Sequence, residues 1–484
     1  MMVKEHQTLA DRGAELVEYR LDWLGRAPDV TRLLKDRPTP VVATCRRPED
    51  RGRWSGSEEK RLGVLREAIV GGAEYVDLEV DIAKGIPRFG KTKRIVSYHN
   101  FEETPTDLDA IYNKIAECDP DIVKIATLAN WPGDNARLLQ LVEKANIPTV
   151  AFCMGELGSM SRLLCGKYGA PFSYATFSRE REMAPGQLSY DEMKHAFRYD
   201  QINADTAVYA VAGDPIAHSY SPLIHNAAFR ELGMNAIYLP LRVPKHAFPQ
   251  TVKDLEPLGI KGYSVTIPHK EAALKIATAR EKIATRIGAA NTLFRAHGQW
   301  RATNTDYEAA MSSLLEGMRT RDPEATLNGK RVLILGAGGV ARAIGYGCVK
   351  AGAVVSIASR TRKRSDELAK AIDATPIRWE KRGAGHLDVI INCTPVGMHP
   401  NVEETPLSVN WLQEHMTVFD TIYNPENTLL LKEAKSRRCV TVSGLEMFVR
   451  QAAAQFKLFT GQSAPLNTMR EALRLGISPV RINP

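Results

Sequence analysis

The sequence predicts an α/β protein with two parts: an N-terminal (β/α)8-type barrel, and a two-lobed α/β unit that contains a Rossmann nucleotide-binding domain. Short β-branched segments alternate with amphipathic helical segments up to about residue 205, which is the pattern of a parallel sheet buried on both faces. From residue 328 onward, a strand, a glycine-rich turn and a helix start follow one another. At 484 residues the chain is also too long for one ordinary core.

The barrel prediction rests on seven strand-like segments. They are residues 16–22, 40–46, 75–80, 94–100, 122–127, 149–154 and 172–177. A (β/α)8 barrel has eight strands, and the sequence opens in a helix where the first barrel strand would begin. We therefore expect either a barrel without its first strand or a true start that lies further upstream and encodes that strand. The polar segment 187–205 is expected to form the last barrel helix and a short linker.

The barrel is expected to occupy residues 1–198, and three further regions follow it. We expect an α/β domain over 205–310, a Rossmann domain over 325–442, and helices over 443–484 that pack back on the α/β domain. The strands expected in these regions are residues 206–215, 353–360, 388–394 and 417–423. Residues 444–461 have apolar positions at helical spacing and are expected to form an amphipathic helix.

Charge and cysteine usage narrow the class of protein. The net charge is +8, but the 64 basic residues are spread along the chain, which favours small anionic substrates over nucleic acid. The seven cysteines form no CxxC pair and no metal-ligand spacing, so we expect reduced thiols and no metal site. A polar N-terminus without a long apolar run predicts a cytoplasmic protein with no membrane partner.

Two residues of the first part predict covalent chemistry. Lys124 lies in the middle of an apolar strand, where it must project into the barrel or be paired with an acid. Burial disfavours the charged form and leaves an amine that can attack a carbonyl, although a buried Lys–Glu pair explains a lone lysine equally well. His99 lies at the end of the preceding strand, where barrel active sites are found. Together the two side chains suit an elimination through a Schiff base, with the imidazole moving the proton.

With these residues the first part resembles type I 3-dehydroquinate dehydratase over essentially its whole length. The matching segments, in the order of that family, are VEYRLD, TCR, VDLE, SYHNF, VKIA, SMSRLLCGKYG and APGQLS. The resemblance implies that Lys124 forms the imine, that His99 is the general acid and base, and that Arg162 binds the substrate carboxylate. The other substrate-binding residues that it implies are Glu18, Arg20, Arg46 and Gln187. The chain departs from the family at Asp50-Arg51, where a glutamate followed by two glycines is usual.

The second part carries a series of polar side chains. Ser219 and Ser221 follow a strand and suit a polyhydroxy acid, although alone they would be read as a helix N-cap. The polar residues that follow are Ser264, Thr266, Lys270, Asn291, Thr292 and Asp306. In this order the series resembles shikimate dehydrogenase over residues 205–484. The resemblance implies that Lys270 and Asp306 are the catalytic pair, for which the alternative is a surface ion pair. It implies a shikimate site formed by Ser219, Ser221, Thr266, Asn291, Tyr423 and Gln451.

The glycine turn predicts a dinucleotide cofactor. Residues 336–341, GAGGVA, fit the G-x-G-x-x-A pattern between a strand and a helix, with Gly336, Gly338, Gly339 and Ala341 at the key positions. An NAD enzyme would place an acid at the end of the next strand. Here that strand ends in a cationic segment. A solvated loop is the alternative, but the position of the segment after the glycine turn favours the 2′-phosphate of NADP. The cofactor residues expected there are Ser359, Arg360, Thr361 and Arg364. The resemblance adds Thr394 and Met447 beside the nicotinamide, where ordinary packing is the alternative.

Together the two resemblances imply a bifunctional enzyme of the shikimate pathway, which leads to chorismate and the aromatic amino acids. Its lyase half would convert 3-dehydroquinate to 3-dehydroshikimate, and its oxidoreductase half would reduce that product to shikimate with NADPH. Small-molecule substrates are the expected partners, and a monomer or homodimer the expected state. Three alternatives are a chain with only the dehydrogenase active, a quinate/shikimate dehydrogenase, and a regulator that binds intermediates without converting them.

Overall fold

The computed structural model describes residues 1–24, 28–181, 186–217 and 219–478. The chain forms two compact units. The first contains residues 1–206 with 254–258, and the second contains residues 207–253 with 259–484. No described helix is both long enough and apolar enough to cross a membrane.

The first unit is built on a six-stranded parallel sheet whose strand order follows the chain. The strands are β1 (Val17–Arg20), β2 (Val41–Thr44), β3 (Tyr75–Glu79), β4 (Lys93–Asn100), β5 (Ile122–Leu128) and β6 (Thr149–Met154). The helices are α1 (Met2–Asp11), α2 (Val30–Leu34), α3 (Glu58–Val70), α4 (Leu108–Ala116), α5 (Asp134–Lys144) and α6 (Ser159–Leu164). Helix α1 precedes β1, and over the described residues β1 and β6 each pair with one strand only. The sheet is therefore open.

Six of the seven strands predicted for this unit are confirmed, and the strand at 172–177 is wrong. That segment forms a single bridge, between Thr176 and Ser189, instead of pairing with β6. The Tyr174 carbonyl accepts a hydrogen bond from the Arg162 side chain and so is used outside a ladder. The helix expected within 187–205 is present but short: it runs from residue 190 to residue 196, with Glu192–Ala196 in π-helical form, and a 3-10 turn, Tyr199–Gln201, follows it.

The period-two alternation of the strands divides this sheet into two faces. On the outer face, residues such as Val76, Val123 and Ala151 pack against the helices. On the inner face, Val42, Ile95, Ile122 and Val150 form a smaller apolar cluster near the strand starts. Polar residues follow these positions on the same face, so the inner face becomes polar toward the carboxyl ends of the strands.

The second unit contains two sheets. The first is mixed, in the order β10-β12-β11-β9-β7-β8, and β11 runs antiparallel to both of its neighbours. Its strands are β7 (Ala207–Gly213), β8 (Ala236–Arg242), β9 (Gly262–Val265), β10 (Ala279–Arg280), β11 (Thr292–Ala296) and β12 (Gln299–Thr303). The helices of this region are α7 (Ser221–Glu231), α8 (Phe248–Asp254), α9 (Lys270–Ile276), α10 (Lys282–Ile287) and α11 (Asp306–Arg319).

The second sheet is fully parallel, in the order β15-β14-β13-β16-β17-β18, which is the doubly wound order of a dinucleotide-binding fold. Its strands are β13 (Arg331–Leu335), β14 (Val354–Ala358), β15 (Thr375–Ile377), β16 (Val389–Asn392), β17 (Thr417–Asp420) and β18 (Val440–Val442). The helices are α12 (Gly339–Lys350), α13 (Arg362–Ile372), α14 (Leu429–Ser436), α15 (Gly444–Thr460) and α16 (Leu466–Ile477). The four strands predicted for this unit and the amphipathic helix α15 are confirmed.

Helices α15 and α16 return to the mixed sheet. Leu445, Val449 and Phe456 of α15 share one buried apolar cluster with Tyr209 of β7. Leu473 of α16 belongs to the same cluster. The C-terminal helices thereby bring side chains from the end of the chain to the edge of the mixed sheet.

Candidate active sites

An open cavity of about 610 Å³ lies on the inner face of the first sheet. It is lined by every residue to which the sequence assigned a role in the dehydratase half: Glu18, Arg20, Arg46, His99, Lys124, Arg162 and Gln187. Asp50 and Arg51 also line it. Alternation explains the convergence, because Lys124 and Ala126 point to one face of β5 and His99 lies beside Ala126 in the β4–β5 register.

Lys124 is buried, with 5% of its surface exposed. Its Nζ donates to Asp77 Oδ2 at 2.8 Å and lies 3.9 Å from Glu18 Oε1. The Tyr174 ring lies 4.1 Å from the same nitrogen. The structure therefore combines both readings of this lysine: it forms a buried ion pair, with an aspartate as the close partner, and it lines the cavity.

Asp77 joins Lys124 to a chain of buried charges. Arg46 binds Asp77 Oδ1 at 2.9 Å and Glu79 at 2.9 Å, and Ser97 donates to Asp77 Oδ1 at 2.6 Å. Burial alone would raise the pKa of Asp77, but the Arg46 guanidinium and the Lys124 ammonium hold it well below its ordinary value. Arg46 is thereby held rigidly at the cavity wall by two carboxylates.

His99 is half-buried, and its Nδ1 is inaccessible and has no hydrogen-bond partner in the described part of the chain. Its ring stacks on Phe101, with a centroid separation of 5.9 Å and an angle of 9° between the planes. Burial lowers the pKa of His99 well below its ordinary value, and the nearby Arg46 and Lys124 charges lower it further. A neutral imidazole that faces a cavity can accept a proton from a bound substrate.

The remaining predicted residues of this site have well-defined contacts. Arg162 is 2% exposed, donates to the Tyr174 carbonyl at 3.1 Å, and has its guanidinium 4.0 Å from the Phe152 ring. Arg20 is held by Asp22 through two hydrogen bonds of 2.9 and 2.8 Å. Arg51, which departs from the family, has φ = 56° and its guanidinium lies 4.6 Å from the Phe101 ring.

In the second unit, Lys270 Nζ donates to Asp306 Oδ2 at 2.5 Å. Lys270 is the first residue of α9 and Asp306 the first residue of α11, so the ends of two helices bring the pair together. Lys270 is 8% exposed and Asp306 is 5% exposed. The alternative of a surface ion pair is therefore wrong, because both partners are buried.

A hydrogen-bond network holds this pair in place. Asn291 donates through Nδ2 to Asp306 Oδ1 and to Thr305 Oγ1, both at 2.9 Å. Gln455 of α15 donates to the Asn291 carbonyl and to Thr292 Oγ1, both at 3.1 Å, and accepts from Ser264 Oγ at 2.6 Å. Asp306 is thus connected to a buried glutamine of the C-terminal helix.

The other residues predicted for the shikimate site have local partners. Ser219 Oγ accepts from the Ser221 backbone N–H at 3.4 Å, but Tyr220 stands at the N-cap of α7 and no side chain of the described residues caps this helix, so the N-cap alternative is wrong. Thr266 lies against Gly213, where an added Cβ would stand 2.4 Å from Thr266 Cγ2. The Tyr423 ring stacks on Phe448 at 4.1 Å, and Gln451 Nε2 donates to the Phe448 carbonyl at 2.9 Å.

The glycine turn after β13 fits the approach of a dinucleotide. Gly336 has φ = +107°, and a Cβ there would stand 2.7 Å from the Cys393 carbonyl oxygen, so only glycine is accommodated. Gly338 precedes α12, which begins at Gly339, and Ala341 is fully buried. A Cβ on Gly339 would stand 3.0 Å from Lys270 Cδ. The turn that would cradle a pyrophosphate therefore lies beside the Lys270 side chain.

The cationic segment after β14 is exposed. Arg360 and Arg364 are solvent-accessible, whereas Arg362 pairs with Asp366 at 2.8 Å within α13. Ser359 Oγ accepts from the Thr361 N–H at 3.3 Å, which orders the start of the segment. These residues present cations and N–H donors where the β14 strand ends, which suits a 2′-phosphate.

The two weaker cofactor residues differ in their surroundings. Thr394 Oγ1 donates to Asn392 Oδ1 at 2.7 Å and follows β16 beside the glycine turn. Met447 is 5% exposed and belongs to the apolar cluster that contains Phe419. Met447 therefore makes the apolar contacts that are expected if its role is ordinary packing.

Sequence reasoning assigned no role to Asp77, Tyr174 or Gln455. Asp77 lies in the VDLE segment, where the alternation of the strand places it on the inner face with the other inner-face residues. That alternation could have identified Asp77 from the sequence. Tyr174 belongs to the segment that was predicted as a strand. Gln455 lies one helical turn after Gln451, on the buried side of α15.

Family models match both units. The model for type I 3-dehydroquinase matches residues 1–204, and that for the shikimate dehydrogenase substrate-binding domain matches residues 211–293. A model described as NADP oxidoreductase, coenzyme F420-dependent, matches residues 331–418, and the shikimate 5′-dehydrogenase C-terminal domain matches residues 444–474. The fold and the two sites thus define a chain that joins a type I dehydroquinase domain to shikimate dehydrogenase domains.

Relatives of known name cover one or both units. The bifunctional 3-dehydroquinate dehydratase/shikimate dehydrogenase, chloroplastic, of Arabidopsis thaliana is 39% identical over 96% of this chain and 80% of its own length. The chain belongs to this bifunctional family. The NADP(+) shikimate dehydrogenase of Methanosarcina acetivorans is 40% identical over 55% of this chain and 97% of its own length.

Solved shikimate dehydrogenases resemble the second part in fold. The enzyme from Aquifex aeolicus superposes with a TM-score of 0.52 and 32% identity, covering 56% of this chain and 99% of its own. The Thermus thermophilus enzyme with NADP(H) and shikimate gives a TM-score of 0.50 at 32% identity, covering 56% of this chain and 100% of its own. The predicted class, a dehydratase fused to an NADP-linked dehydrogenase, is confirmed, with an open sheet in place of a closed barrel. The cytoplasmic location stays a prediction.

Proposed function

We propose that the chain catalyses two consecutive reactions, the dehydration of 3-dehydroquinate at the first unit and the NADPH-dependent reduction of 3-dehydroshikimate at the second. The observation that carries the proposal is the pairing of two complete sites. Lys124 and His99 line one cavity with Arg162. Lys270 and Asp306 form a buried pair beside the glycine turn at Gly339.

At the first site, Lys124 attacks the substrate ketone once its proton has passed to a neighbouring base, and loss of water gives the imine. Arg162 binds the carboxylate and fixes the ring, while Glu18, Arg20, Arg46 and Gln187 bind hydroxyl groups. His99 then takes the proton from the carbon beside the imine, since its neutral form is favoured by burial. The adjacent hydroxyl leaves as water, and hydrolysis of the imine restores Lys124.

At the second site, NADPH supplies the hydride to the ketone carbon when it is bound. Lys270 donates a hydrogen bond to the carbonyl oxygen and delivers the proton that converts it to a hydroxyl, while Asp306 holds the Lys270 ammonium in place. Asn291 orients Asp306 through the bond at 2.9 Å. Ser219, Ser221, Thr266, Tyr423 and Gln451 are the proposed shikimate contacts. Arg360 and Arg364, with Ser359 and Thr361, are the proposed contacts of the cofactor 2′-phosphate.

The domain limits belong to the same proposal. We assign the dehydratase to residues 1–198, shikimate binding to 205–310, NADP binding to 325–442, and the returning helices to 443–484. The state of assembly, monomer or homodimer, and the cytoplasmic location complete it.

Two substrates and two lysine variants test the proposal in the intact chain. Lys124→Ala should abolish turnover from 3-dehydroquinate and its borohydride-trapped adduct, while NADPH oxidation with 3-dehydroshikimate continues. Lys270→Ala should give the opposite pattern. The exposed lysines Lys114 and Lys275 supply matched alanine controls.

The outcomes separate the alternatives. A wild-type chain that binds both intermediates but converts neither would be a regulator, and one that only reduces 3-dehydroshikimate would have lost the first activity. A preference for quinate with NAD would overturn the assignment of the second site. Borohydride adducts that persist in Lys124→Ala would overturn the imine mechanism.

A further inference from the structure

The hydroxyl of Tyr174 lies in the dehydratase cavity without a partner. Its Oη is buried and has no hydrogen-bond partner among the described residues, although the side chain lines the cavity. Buried hydroxyl groups are almost always hydrogen-bonded, because an unpaired one loses the hydrogen bonds that it made with water. An unpaired donor on a side chain that lines a substrate cavity therefore points to a bound group as its partner.

The Tyr174 ring is fixed by its surroundings. It packs against Phe152, with centroids 6.0 Å apart, and meets Phe172 edge-on at 5.7 Å. Lys124 Nζ lies 4.1 Å from the ring centroid, and the Tyr174 carbonyl holds Arg162. The tyrosine thus contacts both the lysine that would form the imine and the arginine that would bind the carboxylate.

We propose that Tyr174 is a further substrate-contacting residue of the dehydratase site, whose hydroxyl donates a hydrogen bond to the hydroxyl group that leaves. This inference rests on the proposed function. In 3-dehydroquinate the carboxylate and the leaving hydroxyl share one carbon, which is separated from the ketone carbon by a single methylene. Because the Tyr174 ring lies against Lys124 and its carbonyl holds Arg162, the proposal places the hydroxyl near the bond that breaks.

The step balances without a further reactant. His99 takes a proton from the methylene, and the electron pair of that C–H bond forms the enamine. The enamine electrons then expel the hydroxyl, the C–O bond breaks, and the proton on His99 goes to the departing oxygen to form water. Tyr174 keeps its own proton and stabilises the charge that develops on that oxygen. Burial raises the pKa of Tyr174 well above its ordinary value, so the phenol remains a donor.

Tyr174→Phe tests the proposal because it removes only the oxygen. We expect kcat for dehydration to fall about 100- to 1000-fold, as for loss of one donor to a developing charge, with little change in KM. The matched control is Tyr75→Phe, a half-buried tyrosine that also packs on Phe172 but does not line the cavity. That control should keep the wild-type rate.

Adduct formation distinguishes this role from others. The product, 3-dehydroshikimate, lacks the leaving hydroxyl, so borohydride should trap it on Lys124 equally in wild type and in Tyr174→Phe, which also shows that the variant is folded. A Tyr174→Phe chain that dehydrates as fast as the wild type would overturn the inference. Equal losses of dehydration and product trapping would also overturn it, because the hydroxyl would then act on Lys124. Failure of the proposed function would appear instead as no trapping in the wild type.

Discussion

His225 makes the second unit sensitive to mild acid. This histidine of α7 is fully buried, and neither ring nitrogen has a hydrogen-bond partner in the described part of the chain. Its ring stacks on Tyr238, with centroids 4.2 Å apart and planes 3° apart. Burial lowers the pKa of His225 from 6.5 to about 3. At mildly acidic pH the unfolded chain therefore binds a proton at this group, whereas the folded chain keeps it neutral.

The sign and size of the effect follow from linkage. Because the pKa is lower in the folded state, the stability is fully present above pH 6.5 and is lost as the pH falls toward 3. Each pH unit below the unfolded value removes about 1.4 kcal/mol, so moving from neutral pH to pH 5 should remove about 2 kcal/mol from the free energy of unfolding. His225→Phe should abolish this contribution, whatever the larger ring costs at pH 7.

Urea unfolding of the intact chain at pH 7 and pH 5 measures the effect. Pulse proteolysis resolves the second unit by the size of its surviving fragment, and the difference between the two pH values is compared for wild type and His225→Phe. The exposed His386 of the same unit supplies a control, His386→Phe, that should behave as the wild type. The same loss between pH 7 and pH 5 in wild type and His225→Phe would refute the reasoning.

Three further predictions concern the second unit. Lys270→Met should lower NADPH-dependent reduction by about 10²- to 10⁴-fold, as for loss of a proton-transfer group, and leave dehydration of 3-dehydroquinate unchanged in the same preparation. Replacing Arg360 and Arg364 by alanine should raise KM for NADPH about tenfold or more but leave KM for NADH unaltered, whereas equal changes would contradict a 2′-phosphate site. Burial raises the pKa of Asp420 to about 6, so ionisation at pH 7 costs the folded state about 3 kcal/mol and stability is gained as the pH falls from 6 toward 4. Asp420→Asn should raise the urea midpoint at pH 7 but not at pH 4. In this variant the Thr428 hydroxyl turns so that it accepts a hydrogen bond from the new amide group.

Local pattern was sufficient to predict most of the strands. Residues 122–127 and 149–154 are short, apolar and bounded by helical segments, so their strand character is encoded where they stand. The segment 172–177 has the same composition, yet among the described residues it forms only a single bridge, between Thr176 and Ser189. Strand pairing depends on distant partners, and composition does not report them.

The candidate sites show the same division. Lys124 and His99 stood out because a lysine inside an apolar strand and a histidine at a strand end are unusual in themselves. The charges that surround these two residues could not be predicted in the same way. Asp77 belongs to another strand and reaches Lys124 only through the register of the sheet. Gln455 is one of several polar residues on α15, and only the packing of that helix shows that it bonds to Asn291.

The sequence by itself determined the class of this protein: a lysine–histidine half, a lysine–aspartate half and a glycine turn followed by cations, in that order. Those features are local, since each depends on residue type and on position within one strand, turn or helix. The tertiary structure alone decided the open six-stranded sheet, the ion pair of Lys124 with Asp77, and the unpaired hydroxyl of Tyr174 in the cavity. These depend on which elements meet, because burial and pairing change the free energy of a charge or a hydroxyl far more than its neighbours in the chain do.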